Sequence, residues 1–85
     1  MFDGELETVE LEFTEEMLND IYDRFGEDIN VKSYSDNKYR ITVPIRISPN
    51  FFLWMLGSKG KIHIMSPTNV IDSFDKFFDE IKQVY

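Results

Sequence analysis

From Lys38 to Ile47 the chain alternates without a break: Tyr39, Ile41, Val43, Ile45 and Ile47 are apolar, and Lys38, Arg40, Thr42, Pro44 and Arg46 fall between them. Successive side chains of a strand point to opposite faces, so this spacing puts one face on a core and turns the other to water. Pro44 has no N–H to give, so the ladder is expected to be open or bulged there. Val9, Leu11 and Phe13 repeat the pattern with Thr8, Glu10 and Glu12 between them. These are two half-buried strands, the one through Val9–Phe13 with an acidic outer face.

Between and after them the period changes. Thr14 reads as a helix N-cap, with Glu15 and Glu16 in the first turn and Phe13 and Leu18 placed to clasp across it. The helix that follows buries Met17, Leu18, Ile21, Tyr22 and Phe25 and stops at Gly26. A weaker strand is expected over Ile29–Tyr34, joined by a Ser35–Lys38 hairpin loop to the strongly alternating one. Ser48-Pro49 and Ser66-Pro67 both read as an N-cap followed by proline at the first helical position. Their apolar clasps are Ile47 with Phe52 and Met65 with Val70. A short helix from Pro49 to Leu56, a turn at Gly57–Gly60, a strand from Lys61 to Met65 and a last helix from Pro67 towards Tyr85 complete the chain. The order is β-α-β-β-α-β plus a final α. It predicts an α+β fold, a ferredoxin-like βαββαβ sandwich with an additional C-terminal helix.

Eighty-five residues, 42% hydrophobic and 15% aromatic, enclose a single core. Residues 1–85 are read as one domain, with residues 1–5 a disordered or added start. There is no cysteine, hence no disulfide, thiolate metal site or cysteine nucleophile. No apolar run approaches the roughly 20 residues that span a bilayer, and the acidic start lacks the layout of a signal peptide. The expected compartment is the cytoplasm, with no membrane partner.

Charge is unevenly spread. Residues 1–28 carry eleven acids against the single base Arg24, whereas residues 29–71 carry six bases against Asp36 alone. An overall charge of −7 makes autonomous binding to duplex DNA unfavourable, because phosphate neutralisation is the main source of such affinity. The basic middle leaves room for a small anionic ligand.

Two stretches are familiar together. One is Val9-Glu10-Leu11-Glu12-Phe13 running into a capped helix. The other is Trp54-Met55-Leu56-Gly57, then Ile62-His63-Ile64-Met65-Ser66-Pro67, then a long helix towards Tyr85. From about Leu6 to Tyr85 the chain resembles the C-terminal extension (WCX) domain of WYL-domain helix-turn-helix transcriptional regulators. The resemblance implies a non-catalytic module of a larger bacterial protein, with Met1 an added initiator. Its partners would be the WYL and helix-turn-helix domains of the same chain and a second subunit in a homodimer. It also implies a contribution to subunit contacts or to sensing an effector that is nucleic-acid-derived or otherwise anionic. No site residue transfers from the family, because its effector contacts in this domain form no fixed motif.

Phe51-Phe52-Leu53-Trp54-Met55-Leu56 is apolar on every side of a helix, so something must hide its second face. Either the last helix packs across it, or it is an interface whose candidates are Phe51, Trp54, Met55, Phe77 and Phe78. Lys32, Arg40, Arg46, Lys61 and His63 are candidates for a ligand or domain-contact face on the open side of the sheet. The plainer alternative is cross-strand pairing of the arginines with Glu10 and Glu12. His63 is the only histidine, which makes a zinc site or a catalytic triad a poor match. No cofactor is expected. A stand-alone ferredoxin-like small-molecule sensor is the alternative function. An acylphosphatase-like enzyme is disfavoured, since Glu15 and Glu16 stand where an anion loop would be needed.

Overall fold

Strand β1 (Leu6–Thr14) lies at the middle of the molecule, and the rest is arranged around it. A computed structural model describes residues 5–84. After β1 come a 3₁₀ turn (Glu15–Met17), α1 (Leu18–Phe25), β2 (Lys32–Ser35), β3 (Lys38–Arg46), α2 (Pro49–Gly57), β4 (Ile62–Ser66) and α3 (Thr68–Val84). The strands form one sheet in the order β2-β3-β1-β4, antiparallel at every junction. The fold is α+β, with a four-stranded antiparallel sheet and three α-helices. Of the expectation for residues 1–5, all but Glu5 lies outside the described residues, as does Tyr85.

The alternating residues do what their spacing predicts. Val9, Leu11, Phe13, Ile41, Val43 and Ile45 are buried on one face, while Thr42, Pro44 and Arg46 are exposed on the other. The β1–β3 register runs unbroken through Thr8↔Pro44. On its other side β3 is paired only as far as Lys32↔Arg40, so the ladder is open beside Pro44 rather than bulged. Met17, Ile21, Phe51, Phe52, Met55, Ile62 and Val70 complete the core.

Three boundaries differ from expectation. Thr14 has the extended backbone of a cap residue, but its side chain caps nothing. The Glu15 N–H instead donates to Oδ1 of Asn37, 3.0 Å away in the β2–β3 turn. Strand β2 starts at Lys32 rather than Ile29, because Ile29 and Val31 are used as half-buried anchors against the core.

The second Ser-Pro pair is not a cap. β4 carries one extra residue where Glu10 pairs with Ser66 and Leu11 with Ile64. Met65 is thereby out of register and Ser66 is still in the sheet. Helix α3 then begins at Thr68, and the Pro67 carbonyl accepts from the N–H groups of Val70 and Ile71 at 3.1 and 3.2 Å. Met65 remains 38% exposed while Val70 is buried, so the expected clasp is not made. At Ser48-Pro49 the expectation holds: Ser48 Oγ accepts from the Phe51 N–H at 3.3 Å.

Candidate functional site

Antiparallel register decides which polar residues meet on the open face of the sheet. Lys32 is opposite Arg40, Arg40 opposite Glu12, and Glu12 opposite His63, so a single row crosses all four strands. Arg40 is its hub. Its Nε donates to Glu12 Oε2 at 3.0 Å and its Nη2 lies 3.0 Å from the same oxygen. Nη1 is 3.6 Å from Glu10 Oε2, and the guanidinium carbon stands 3.7 Å over the ring of Tyr34. The hydrogen bond that Arg40 donates to Glu12 raises the Arg40 pKa above the ordinary arginine value; desolvation opposes the rise, and the charges of Tyr34, Glu12 and Glu10 add to it. Lys38 Nζ lies 3.7 Å from the other Glu12 oxygen. Enclosed in this way, Glu12 is only 8% exposed.

Of the five residues expected on this face, Lys32, Arg40 and His63 share the row. Arg46 is six residues further along β3, roughly 20 Å from Arg40 at the rise of a strand, and is opposite Leu6. Lys61 precedes β4 and is bound to Glu16 at 2.6 Å. Arg40 makes the cross-strand pairs with Glu10 and Glu12 that the plainer alternative described. Sequence reasoning left out Tyr34 and Lys38. The hairpin turn at Asp36-Asn37 was the available signal, since it brings the ends of β2 and β3 together at Ser35↔Lys38.

The apolar segment of α2 is divided among three surroundings. Phe51 and Met55 lie inside the core and offer no surface to a partner. Phe52 packs its ring against Phe74 and Phe77 of α3, with centroids 5.4 and 5.3 Å apart, so the last helix does cover this side. Trp54 meets Phe25 of α1 edge-on at 5.6 Å and Phe51 at 6.3 Å, with the Arg24 guanidinium 5.3 Å from its ring. The outward apolar surface is Leu53, 51% exposed, with Phe78 at 40% and Val84 at 75% on α3. Phe77 and Ile81 are half-buried beside them, and Lys82 Nζ lies 5.4 Å from the Phe78 ring.

Among the described residues no group of three His, Asp or Glu side chains is placed to hold a metal ion. No helix there is long and apolar enough to cross a membrane. Compared with protein-family models, with curated proteins and with solved structures, the chain matches none.

Proposed function

We propose that this chain is the C-terminal extension (WCX) module of a WYL-domain transcriptional regulator, a non-catalytic cytoplasmic part that joins subunits and contributes to effector sensing. The observation that carries the reading is the apolar surface left along α2 and α3. Leu53, Phe78 and Val84 are exposed although the core is already closed beneath them. Exposed apolar side chains gathered on two neighbouring helices mark a contact with another chain or domain. The partners proposed are a second copy and the WYL and helix-turn-helix domains of the same polypeptide.

The finer fold proposed is the ferredoxin-like one with an added helix. Its support is that β3 lies between β1 and β2, and β1 between β3 and β4, which is the arrangement of two interleaved split βαβ units. Autonomous DNA binding is not part of the proposal, since Glu10 and Glu12 occupy the middle of the open face, where phosphates would have to approach.

The size of the native polypeptide tests the reading. An antibody raised against this domain is expected to detect a band several times larger than the 10.1 kDa chain in host lysate. A band at 10.1 kDa would replace the regulator module with a stand-alone ligand-binding domain. That second reading is favoured by a cleft at one corner of the open face, between Lys38 and the Gly60-Lys61 turn.

A further inference from the structure

Beyond Arg40, strand β3 has no neighbour on one side. Lys32 pairs with Arg40, but residues 29–31 lie outside the sheet while β3 runs on to Arg46. The Ile47 N–H donates to the Glu5 carbonyl, so the odd residues of β3 turn their backbone groups to β1. Arg40, Thr42 and Pro44 therefore turn theirs to the other side. Arg40 uses its own on Lys32, and Pro44 has a carbonyl there but no N–H. Thr42, between them, presents both a donor and an acceptor. No backbone group among the described residues bonds to either.

A notch of about 210 Å³ opens at this point, lined by Glu10, Asn30, Lys32, Arg40, Ile41 and Thr42. It is smaller than the clefts of about 300 Å³ and more that take drug-sized molecules. Its lining is polar except for Ile41, and both signs of charge are present. Lys32 is exposed and, among the described residues, has no carboxylate within ion-pair distance. Glu10 is held loosely, its Oε2 3.6 Å from Arg40 Nη1. A cation without a partner and a lightly held carboxylate thus flank one unpaired backbone N–H and C=O.

We propose that this notch binds a free L-α-amino acid, which pairs with Thr42 as a strand one residue long. Its carboxylate accepts from the Thr42 N–H and its ammonium donates to the Thr42 carbonyl. These are the two bonds of an ordinary antiparallel pair. The antiparallel direction sends the carboxylate towards Lys32 and the ammonium towards Pro44. Lys32 then answers the carboxylate, and Glu10 the ammonium. A longer peptide would need at Pro44 the N–H that proline lacks, and at Arg40 the edge is already taken by Lys32. The gap therefore admits one residue. Handedness follows as well. Paired residues carry their side chains on the same face, so an L side chain stands with Thr42 on the open face. A D side chain turns to the core face, where Ile29 and Val31 are packed. The inference goes beyond the regulator reading and does not rest on it.

The test is an amide NMR titration of the 85-residue chain with L-alanine, L-serine and L-glutamine. At least one is expected to saturate, with a Kd on the order of 1 mM or tighter, and to shift the Thr42 and Lys32 amides. Hydrogen exchange at the Thr42 amide is expected to slow about tenfold at saturation, because the ladder closes there. The D-enantiomer and the N-acetyl derivative of the amino acid that binds are each expected to be at least about tenfold weaker. Lys32→Ala, at an exposed side chain, is expected to weaken binding about tenfold and leave amide signals elsewhere in place. Three outcomes would overturn the proposal: no saturation by any of the three, equal binding of the D or N-acetyl form, or a Thr42 amide still unprotected at saturation. Each leaves the measurement of native polypeptide size untouched, so the two readings fail separately.

Discussion

Asn37 has two roles, of which the sequence displays one. Its backbone takes φ 63°, a left-handed turn position that asparagine tolerates. Its side chain meanwhile accepts the Glu15 N–H, 22 positions away in sequence, and so starts the helical segment that Thr14 leaves uncapped. Asn37→Gly keeps the backbone freedom and removes the acceptor, and is expected to lower unfolding stability by about 1 kcal/mol. Asn37→Ala removes both, and about 2 kcal/mol is expected. Urea denaturation of the two variants checks this; equal losses would mean that the turn conformation contributes nothing. The turn was legible because backbone preference is local. The cap was not, because its donor and acceptor meet only once β1 and β3 are in register. The setting of Trp54 was hidden for the same reason. A lone tryptophan in an apolar run reads as an anchor for a partner, and only the packing of α1 beside α2 shows that Phe25 and Arg24 already occupy it.

Helix α1 ends where glycine alone is comfortable. Gly26 sits at φ 91°, ψ 169°, and its N–H donates to the Tyr22 carbonyl at 2.8 Å. A Cβ built there meets nothing within 4 Å, so a substitution acts through the backbone and not through a clash. Gly26→Ala is expected to cost about 1–3 kcal/mol in thermal or chemical unfolding. Gly57, at the end of α2 with equally open space, is the control, and Gly57→Ala should change stability by less than about 1 kcal/mol. Strands with strict alternation, and helices with a single local cap such as Ser48, were readable before any fold was known. Ser66-Pro67 was not, because the extra residue at Met65 depends on how β4 meets β1. Both outer strands are poor templates for another sheet. β2 has four residues, carries Lys32 and slips register between Ser33 and Ser35, and β4 carries the irregularity at Met65. Short, irregular, charged edges resist pairing with a second chain. Association through the strands is thereby disfavoured, and the helical side is left for it.

The charge of the whole molecule sorts by layer. The 3₁₀ turn and α1 with the loop after it carry Glu15, Glu16, Asp20, Asp23, Glu27 and Asp28 against Arg24, all exposed. The open sheet face gathers Lys32, Lys38, Arg40 and Arg46 against Glu10 and Glu12. Neither layer is apolar enough to hold two copies together. On α2 and the far half of α3, Leu53, Phe78 and Val84 face outward, while Leu6, Tyr34 and Met65 are exposed on three different strands. The composition displayed the surplus of aromatic residues, but which of them stay outside was fixed only by the packing of Phe52 between Phe74 and Phe77. Sedimentation equilibrium of the chain tests the contact surface most directly. The account predicts a reversible rise towards twice the 10.1 kDa chain mass as concentration increases, abolished by Leu53→Asp or Phe78→Asp with unfolding midpoints little changed. A single 10.1 kDa species at every concentration, or dimers that survive both substitutions, would contradict it.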